Sequence, residues 1–149
     1  MMETHSPSES VSLPALLRAA RAVYGAAIHA ALARIGCEDV PRNGIYLLGA
    51  IARTGAPLSR IIQQLGVSKQ AAGQLVDTLV MRGYLDRSVD PEDRRRLTIT
   101  LSERGFAAAA AARAAVEQIE ADLQAQVGAA FVAHTRATLI ALTGMSGPP

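Results

Sequence analysis

DPEDRRRLTITL, residues 90–101, is the passage whose reading decides the fold. Asp90-Pro91 is a turn signal, because proline presets a turn dihedral and aspartate readily bonds its own backbone. Three arginines, Arg94 to Arg96, follow it. Leu97, Ile99 and Leu101 then alternate with Thr98 and Thr100, the period of a half-buried strand. With Leu85–Val89 ahead of the turn, the passage predicts a two-stranded hairpin with a charged tip. The rest of the chain is rich in Ala and Leu, which favours helix. A charged hairpin in a helical protein needs a reason.

The residues just upstream supply one. APLSRIIQQLG (56–66) gives a short helix with Leu58, Ile61, Ile62 and Leu65 inward, ended by Gly66. VSKQAAGQLVDTLVMRGYL (67–85) restarts at once, with Ser68 as N-cap and Ala72, Leu75, Val76 and Leu79 as the buried stripe, and Gly83 ends it. Two helices joined by so tight a turn form a helix-turn-helix. Further out, an amphipathic helix runs from the Ser12 N-cap to Gly36, and another starts near Pro41 with Ile45, Leu48, Ile51 and Ala52 on one side. Downstream, Ser102 caps a long helix carrying Phe106, Ala109, Ala112, Val116, Ile119, Leu123 and Val127 on its apolar stripe. Gly128 breaks it before a last helix with Phe131, Leu139 and Leu142. The ends, MMETHSPSES and SGPP, read as loose tails.

Composition narrows the class. At 149 residues, half of them hydrophobic but only five aromatic, the chain suits one mainly α domain with an aliphatic core. No apolar run approaches the ~20 residues that span a bilayer, so no membrane partner is expected. The single cysteine, Cys37, excludes an intrachain disulfide and fits a reducing cytoplasm. With only His5, His29 and His134 beside it, it argues against a zinc site. No nucleophilic triad, carboxylate pair or Gly-rich phosphate loop is present, so neither an enzyme nor a cofactor is expected. Net charge is only +2, but its distribution is uneven: residues 53–104 carry nine basic and six acidic side chains, while 1–52 balance and 105–149 are slightly acidic. The excess points to an anionic partner around the hairpin.

The stretch Leu58–Gly105 resembles the DNA-binding core of MarR-type winged helix-turn-helix regulators. The residues that carry the likeness are SKQAAGQLVDTLVMRGYLDR and DPEDRRRLTITLSERG, the second matching that family's wing pattern at Asp90, Pro91, Asp93, Arg94, Arg95, Leu101, Ser102 and Gly105. About a third of the chain is covered, and Arg96 is an extra arginine. The resemblance implies a winged helix-turn-helix dimerised through its N- and C-terminal helices: one MarR-like domain over 1–149, with 12–36 and 104–144 as dimerisation helices and 41–103 as the DNA-binding core. It further implies a homodimeric repressor on a pseudo-palindromic operator in double-stranded DNA, released by a small-molecule effector. The alternative is a dimeric small-molecule sensor or protein-interaction module that keeps the fold without DNA binding.

The candidate DNA contacts follow from chemistry. Phosphates give position and base edges give sequence. Ser59 and Ser68 can donate to phosphate near helix starts, and Lys69 brings a mobile charge. Gln70 and Gln74, four apart on one face, can pair with adenine in the major groove, with Gly73 allowing close approach. Arginine suits the narrow minor groove. Asp90 or Asp93 can brace one arginine of the hairpin by a bidentate pair, leaving another to insert. The family pattern pairs Asp93 with Arg95 and leaves Arg94 as the probe, while Arg96 keeps open which guanidinium reaches furthest.

Plainer readings stand beside these. A charged hairpin alone is usually a solvated turn, and the two glutamines are as well explained as surface residues. Arg82 and Arg87 read as surface or phosphate-adjacent charges. Cys37, beside Glu38 and Asp39, reads as a passive thiol, since nearby carboxylates disfavour the thiolate. His29 reads as a packed or interface histidine, with ligand contact as the lesser alternative, and Tyr24 and Tyr46 read as core or interface filling, with the lining of an effector cavity as theirs.

Overall fold

The computed structural model describes residues 10–55, 57–95 and 97–145. Both tails beyond these and Arg96 therefore lie outside the described residues. Among the described residues, six helices and one hairpin follow in the order α1 (Leu13–Arg34), α2 (Gly44–Thr54), α3 (Leu58–Leu65), α4 (Lys69–Met81), β1 (Leu85–Val89), β2 (Leu97–Leu101), α5 (Glu103–Val127) and α6 (Ala129–Thr143).

Local chemistry sets most of these boundaries. Ser12, Ser68 and Ser102 each stand before a helix in extended backbone and accept an N–H of the first turn, from Ala15, Ala71 and Gly105 respectively. The hairpin strands pair antiparallel with Leu85 opposite Leu101, Arg87 opposite Ile99 and Val89 opposite Leu97. Leu85 and Leu101 at its base are buried, whereas Val89 near its tip is exposed. The hairpin is thus rooted in the core at one end and projects from it at the other.

The core gathers Leu47, Leu48, Leu79, Tyr84 and Leu85, all fully buried, around Leu32, Ile61, Val76 and Ala108. Each buried leucine contributes about 2 kcal/mol relative to exposure. α5 packs along α1 and α2, and α2 also meets α3 and β2.

Two expected phases are corrected here. α2 begins at Gly44, after a turn in which Gly44 donates to the Pro41 carbonyl at 2.8 Å. Its buried residues are Gly44, Leu47 and Leu48, with Ile45 and Ile51 half-buried and Ala52 exposed. Packing against α5 as well as α3 brings Leu47 inward. In α5 the buried line is Gly105, Ala108, Ala109 and Ala112, while Phe106 is 57% exposed. Gly105 fixes this phase: a Cβ there would stand 2.1 Å from the Tyr84 carbonyl oxygen. Successive helical residues point about 100° apart, so a Gly105 that faces Tyr84 turns Phe106 outward.

Candidate nucleic-acid interface

The helix-turn-helix is built by α3, the turn at Gly66–Ser68, and α4. Gly66 adopts φ +66°, a left-handed conformation that lets the chain reverse within three residues. Ser68 Oγ accepts the Ala71 N–H at 3.1 Å. This cap uses a lone pair and leaves the hydroxyl proton for an outside acceptor such as phosphate. With Ala72, Val76 and Leu79 buried, the opposite face of α4 is turned to solvent, and Lys69, Gln70, Gly73 and Gln74 are all exposed. Nothing stands within 4 Å of a Cβ placed on Gly73. Ser59, second residue of α3, is exposed as well. Among the described residues, Ser59, Lys69, Gln70 and Gln74 make no side-chain hydrogen bond or ion pair.

The wing stands beside this face. Arg87 of β1 pairs with Asp77 of α4 at 2.7 Å, which ties the hairpin to the helix. Both partners are solvent-exposed, so the pair is worth at most about 1 kcal/mol and acts as an orienting contact. Ser88 and Thr98 hydroxyls bond across the strands at 2.7 Å.

At the tip the expected brace takes another form. Asp90 Oδ1 accepts the Glu92 N–H at 3.0 Å, and Asp93 Oδ1 accepts the Arg95 N–H at 3.1 Å. The carboxylates stiffen the backbone, each two residues on from itself. Among the described residues no carboxylate pairs with Arg94 or Arg95, and both side chains are exposed.

A polar cluster of residues far apart in the chain, marked by no local pattern, holds the root of the wing. The Tyr84 hydroxyl donates to Asp39 Oδ1, and Arg82 donates to the Asp39 carbonyl. Arg104 lies over the Tyr84 ring, 4.4 Å from its centroid, and donates to Asp39 Oδ1 and the Gly36 carbonyl, both at 3.1 Å, and to the Arg82 carbonyl. Ser102 donates to the Gly83 carbonyl. The Tyr84 hydrogen bond, aided by Arg104, holds the Asp39 carboxyl below the usual carboxylate range. Burial, with the bond to Asp39, pushes the Tyr84 phenol well above its ordinary value. Arg82 is therefore committed to a backbone contact. Cys37 beneath the cluster is 2% exposed.

Two cavities flank α1. One, of about 790 Å³, lies between α1 and the start of α2 and is lined in part by His29 and Tyr46. The other, of about 260 Å³, lies among α1, α5 and α6 and is lined in part by Tyr24. His29 and Tyr46 are exposed, so neither fills the core. Among the described residues no helix is long and apolar enough to cross a membrane, and no group of His, Cys, Asp and Glu is placed to hold a metal ion.

A family model described as "MarR family" matches residues 38–96. No curated protein sequence matches the chain. Among solved structures, RV1404 from Mycobacterium tuberculosis is 25% identical, with a TM-score of 0.68 over 93% of this chain and 97% of that one. A probable transcriptional regulator from Pseudomonas aeruginosa is 26% identical, with a TM-score of 0.65 over 88% of this chain and 96% of the other. CouR from Rhodococcus jostii RHA1, bound to p-coumaroyl-CoA, has the same fold at 24% identity, with a TM-score of 0.68 over 97% and 100% of the two chains.

Proposed function

We propose that this chain, which belongs to the MarR family of winged helix-turn-helix regulators, is a homodimeric repressor that binds a pseudo-palindromic operator in double-stranded DNA and is released by a small-molecule effector. The observation that supports the reading is a set of exposed, uncommitted polar side chains on two joined elements: Lys69, Gln70 and Gln74 on α4, and Arg94 and Arg95 on the wing that the Arg87–Asp77 pair ties to that helix. α4 enters the major groove, where Gln70 and Gln74 read base edges while Ser59, Ser68 and Lys69 hold phosphates. The wing lays Arg94 or Arg95 into the adjacent minor groove, its tip stiffened by Asp90 and Asp93. Arg96 belongs to the same basic tip by sequence.

Residues 41–103 form the DNA-binding core in this reading, and 12–36 with 104–144 the dimerisation helices. Exposed apolar side chains on α1 and α6 support the pairing: Leu13, Leu16 and Val23 on one, Phe131, Ile140 and Leu142 on the other. Two copies place two α4 helices on successive turns of the duplex. An effector is supported by the ligand carried by CouR and by the α1–α2 groove, large enough for a molecule of that kind.

The test is a binding titration on the region upstream of the protein's own gene. Each arginine contact is worth about 1–3 kcal/mol, so Arg94→Ala with Arg95→Ala should lose about 30-fold or more in affinity while the protein stays dimeric. Affinity of the parent should also fall steeply with salt as condensed counterions are released. Undiminished affinity in the double variant would remove the wing from the interface, and equal affinity for random DNA would remove the specificity.

A further inference from the structure

We propose that Asp77 is a positioning residue for DNA recognition. Through Arg87 it sets the angle between the wing and α4, so that the wing arginines reach the minor groove while Gln70 and Gln74 lie in the major groove. This role rests on the DNA reading above and adds to it two residues that themselves read no base.

The place of Asp77 raises the question. Successive residues of a helix turn by about 100°, so Gln70, Gln74 and Asp77 fall within an arc of about 60° on α4. That arc lies opposite the buried Ala72, Val76 and Leu79. Asp77 is therefore on the face offered to the duplex, with its side chain 68% exposed. A carboxylate there meets phosphates of its own sign, which by itself weakens binding.

Arg87 gives the carboxylate a use. Its guanidinium donates to Asp77 Oδ1 at 2.7 Å, across from β1 to α4. Of the described hairpin residues, 85–95 and 97–101, Arg87 alone makes a side-chain hydrogen bond or ion pair to another element. The remaining side-chain bonds are internal to the hairpin: Ser88 with Thr98, Asp90 with the Glu92 N–H and Asp93 with the Arg95 N–H. Burial fixes the root at Leu85 and Leu101, and Val89 beyond it is already exposed. A strand advances about 3.3 Å per residue, so Arg94 and Arg95 stand well out from that root. A small tilt at Arg87 becomes a larger displacement at the tip. One lateral strut thus governs where the wing arginines arrive.

Positioning and bare charge predict opposite signs. If charge is all that Asp77 contributes, neutralising it on a DNA-facing helix raises affinity. If Asp77 places the wing, the same change lowers affinity. An exposed ion pair shifts an equilibrium by about fivefold at most, so the expected loss is about two- to fivefold.

The experiment is fluorescence-anisotropy titration of the full chain on two duplexes, the region upstream of its own gene and a random sequence. Asp77→Asn and Arg87→Gln should each lose about two- to fivefold on the upstream duplex, with a melting temperature within about 4 °C of the parent. Asp77→Asn is also made in a chain carrying Arg94→Ala, Arg95→Ala and Arg96→Ala together. There it should cost nothing further and even gain affinity, because a wing without its arginines has nothing to place. Unchanged or higher affinity of Asp77→Asn in the otherwise intact chain would overturn the proposal. So would a loss as large without the wing arginines as with them. A loss in Arg87→Gln without one in Asp77→Asn would equally overturn it, by making Arg87 a phosphate ligand. A parent that binds neither duplex would sink the DNA reading and this role with it. A parent that binds both equally would sink only the operator specificity, and the same comparison then holds on either duplex.

Discussion

The middle of the chain and its two ends treat apolar residues in opposite ways. Leu47, Leu48, Leu79 and Tyr84 are at 0% exposure, whereas Leu13 is at 68% and Phe131 at 67%. Both regions have helical stripes of similar composition. In the middle, α2, α3, α4 and the hairpin close around one another and the start of α5, so their stripes find partners within the chain. At the ends, α1 and α6 bury only Ala31, Leu32 and Val132. Each large side chain left in water forgoes about 1.5–3 kcal/mol. The winged core is complete in one copy; the arms leave apolar faces open, as the proposed pairing of two copies requires.

The largest expected effect breaks the complete half. In Gly105→Ala the new Cβ would meet the Tyr84 carbonyl oxygen at 2.1 Å, a backbone atom that cannot swing aside as a side chain could. Overpacking of this kind costs about 3 kcal/mol or more, and a chain of this size loses roughly 6–12 °C in melting temperature for that amount. Gly73→Ala is the matched control, because space around Gly73 is open and alanine favours helix. Thermal unfolding by circular dichroism should show the first variant well below the parent and the second at or above it. Equal melting of Gly105→Ala and the parent would mean that α5 does not press on the wing root.

The next effect breaks the incomplete half. Leu16→Glu with Ile140→Glu places charges on two exposed apolar faces, so the folded monomer should lose little. Light scattering should report a monomer where the parent is a dimer. Operator affinity should fall by about 100-fold, since a second engaged half-site multiplies affinity by roughly 10²–10⁴. A double variant that remains dimeric would place the interface elsewhere.

What the sequence made legible follows the range of each interaction. Ser68 as cap, Gly66 as stop and both strands from Leu85–Val89 and Leu97–Leu101 are local signals, and the structure has them at those residues. The register of α5 is not local. Phe106 is the most hydrophobic residue of its turn and reads as core, yet the single contact of Gly105 with Tyr84 decides the helix phase. The wing-root cluster was equally out of reach, because Asp39 meets Tyr84 and Arg104 across 45 and 65 residues of chain. No short pattern marks such a meeting. The wing aspartates obey a shorter rule: each accepts a backbone N–H two residues on, a preference carried by the residue type itself.

The smallest effect sharpens the comparison at the seam between loop, wing and α5. Tyr84→Phe keeps the buried ring and the guanidinium of Arg104 stacked on it, and removes only the hydroxyl that bonds Asp39. The loss at neutral pH is about 1 kcal/mol, or roughly 2–4 °C. The pH profile carries more information. Asp39 is held below its ordinary range, so its contribution is present above the unfolded value near ~3.9 and is lost as pH falls through the lower folded value. Tyr84 is pushed up, so its contribution is full below the unfolded value near ~10 and is lost as pH rises from there toward the folded one. Melting temperature followed across pH should therefore show an alkaline decline above about pH 10 in the parent that is weaker in Tyr84→Phe, together with a shallower acid decline. Profiles that run parallel at both extremes would mean that Asp39 and Tyr84 are neighbours without linkage. The 36–42 loop would then have no titratable hold on the wing, and a ligand in the adjacent groove would need another route to the DNA.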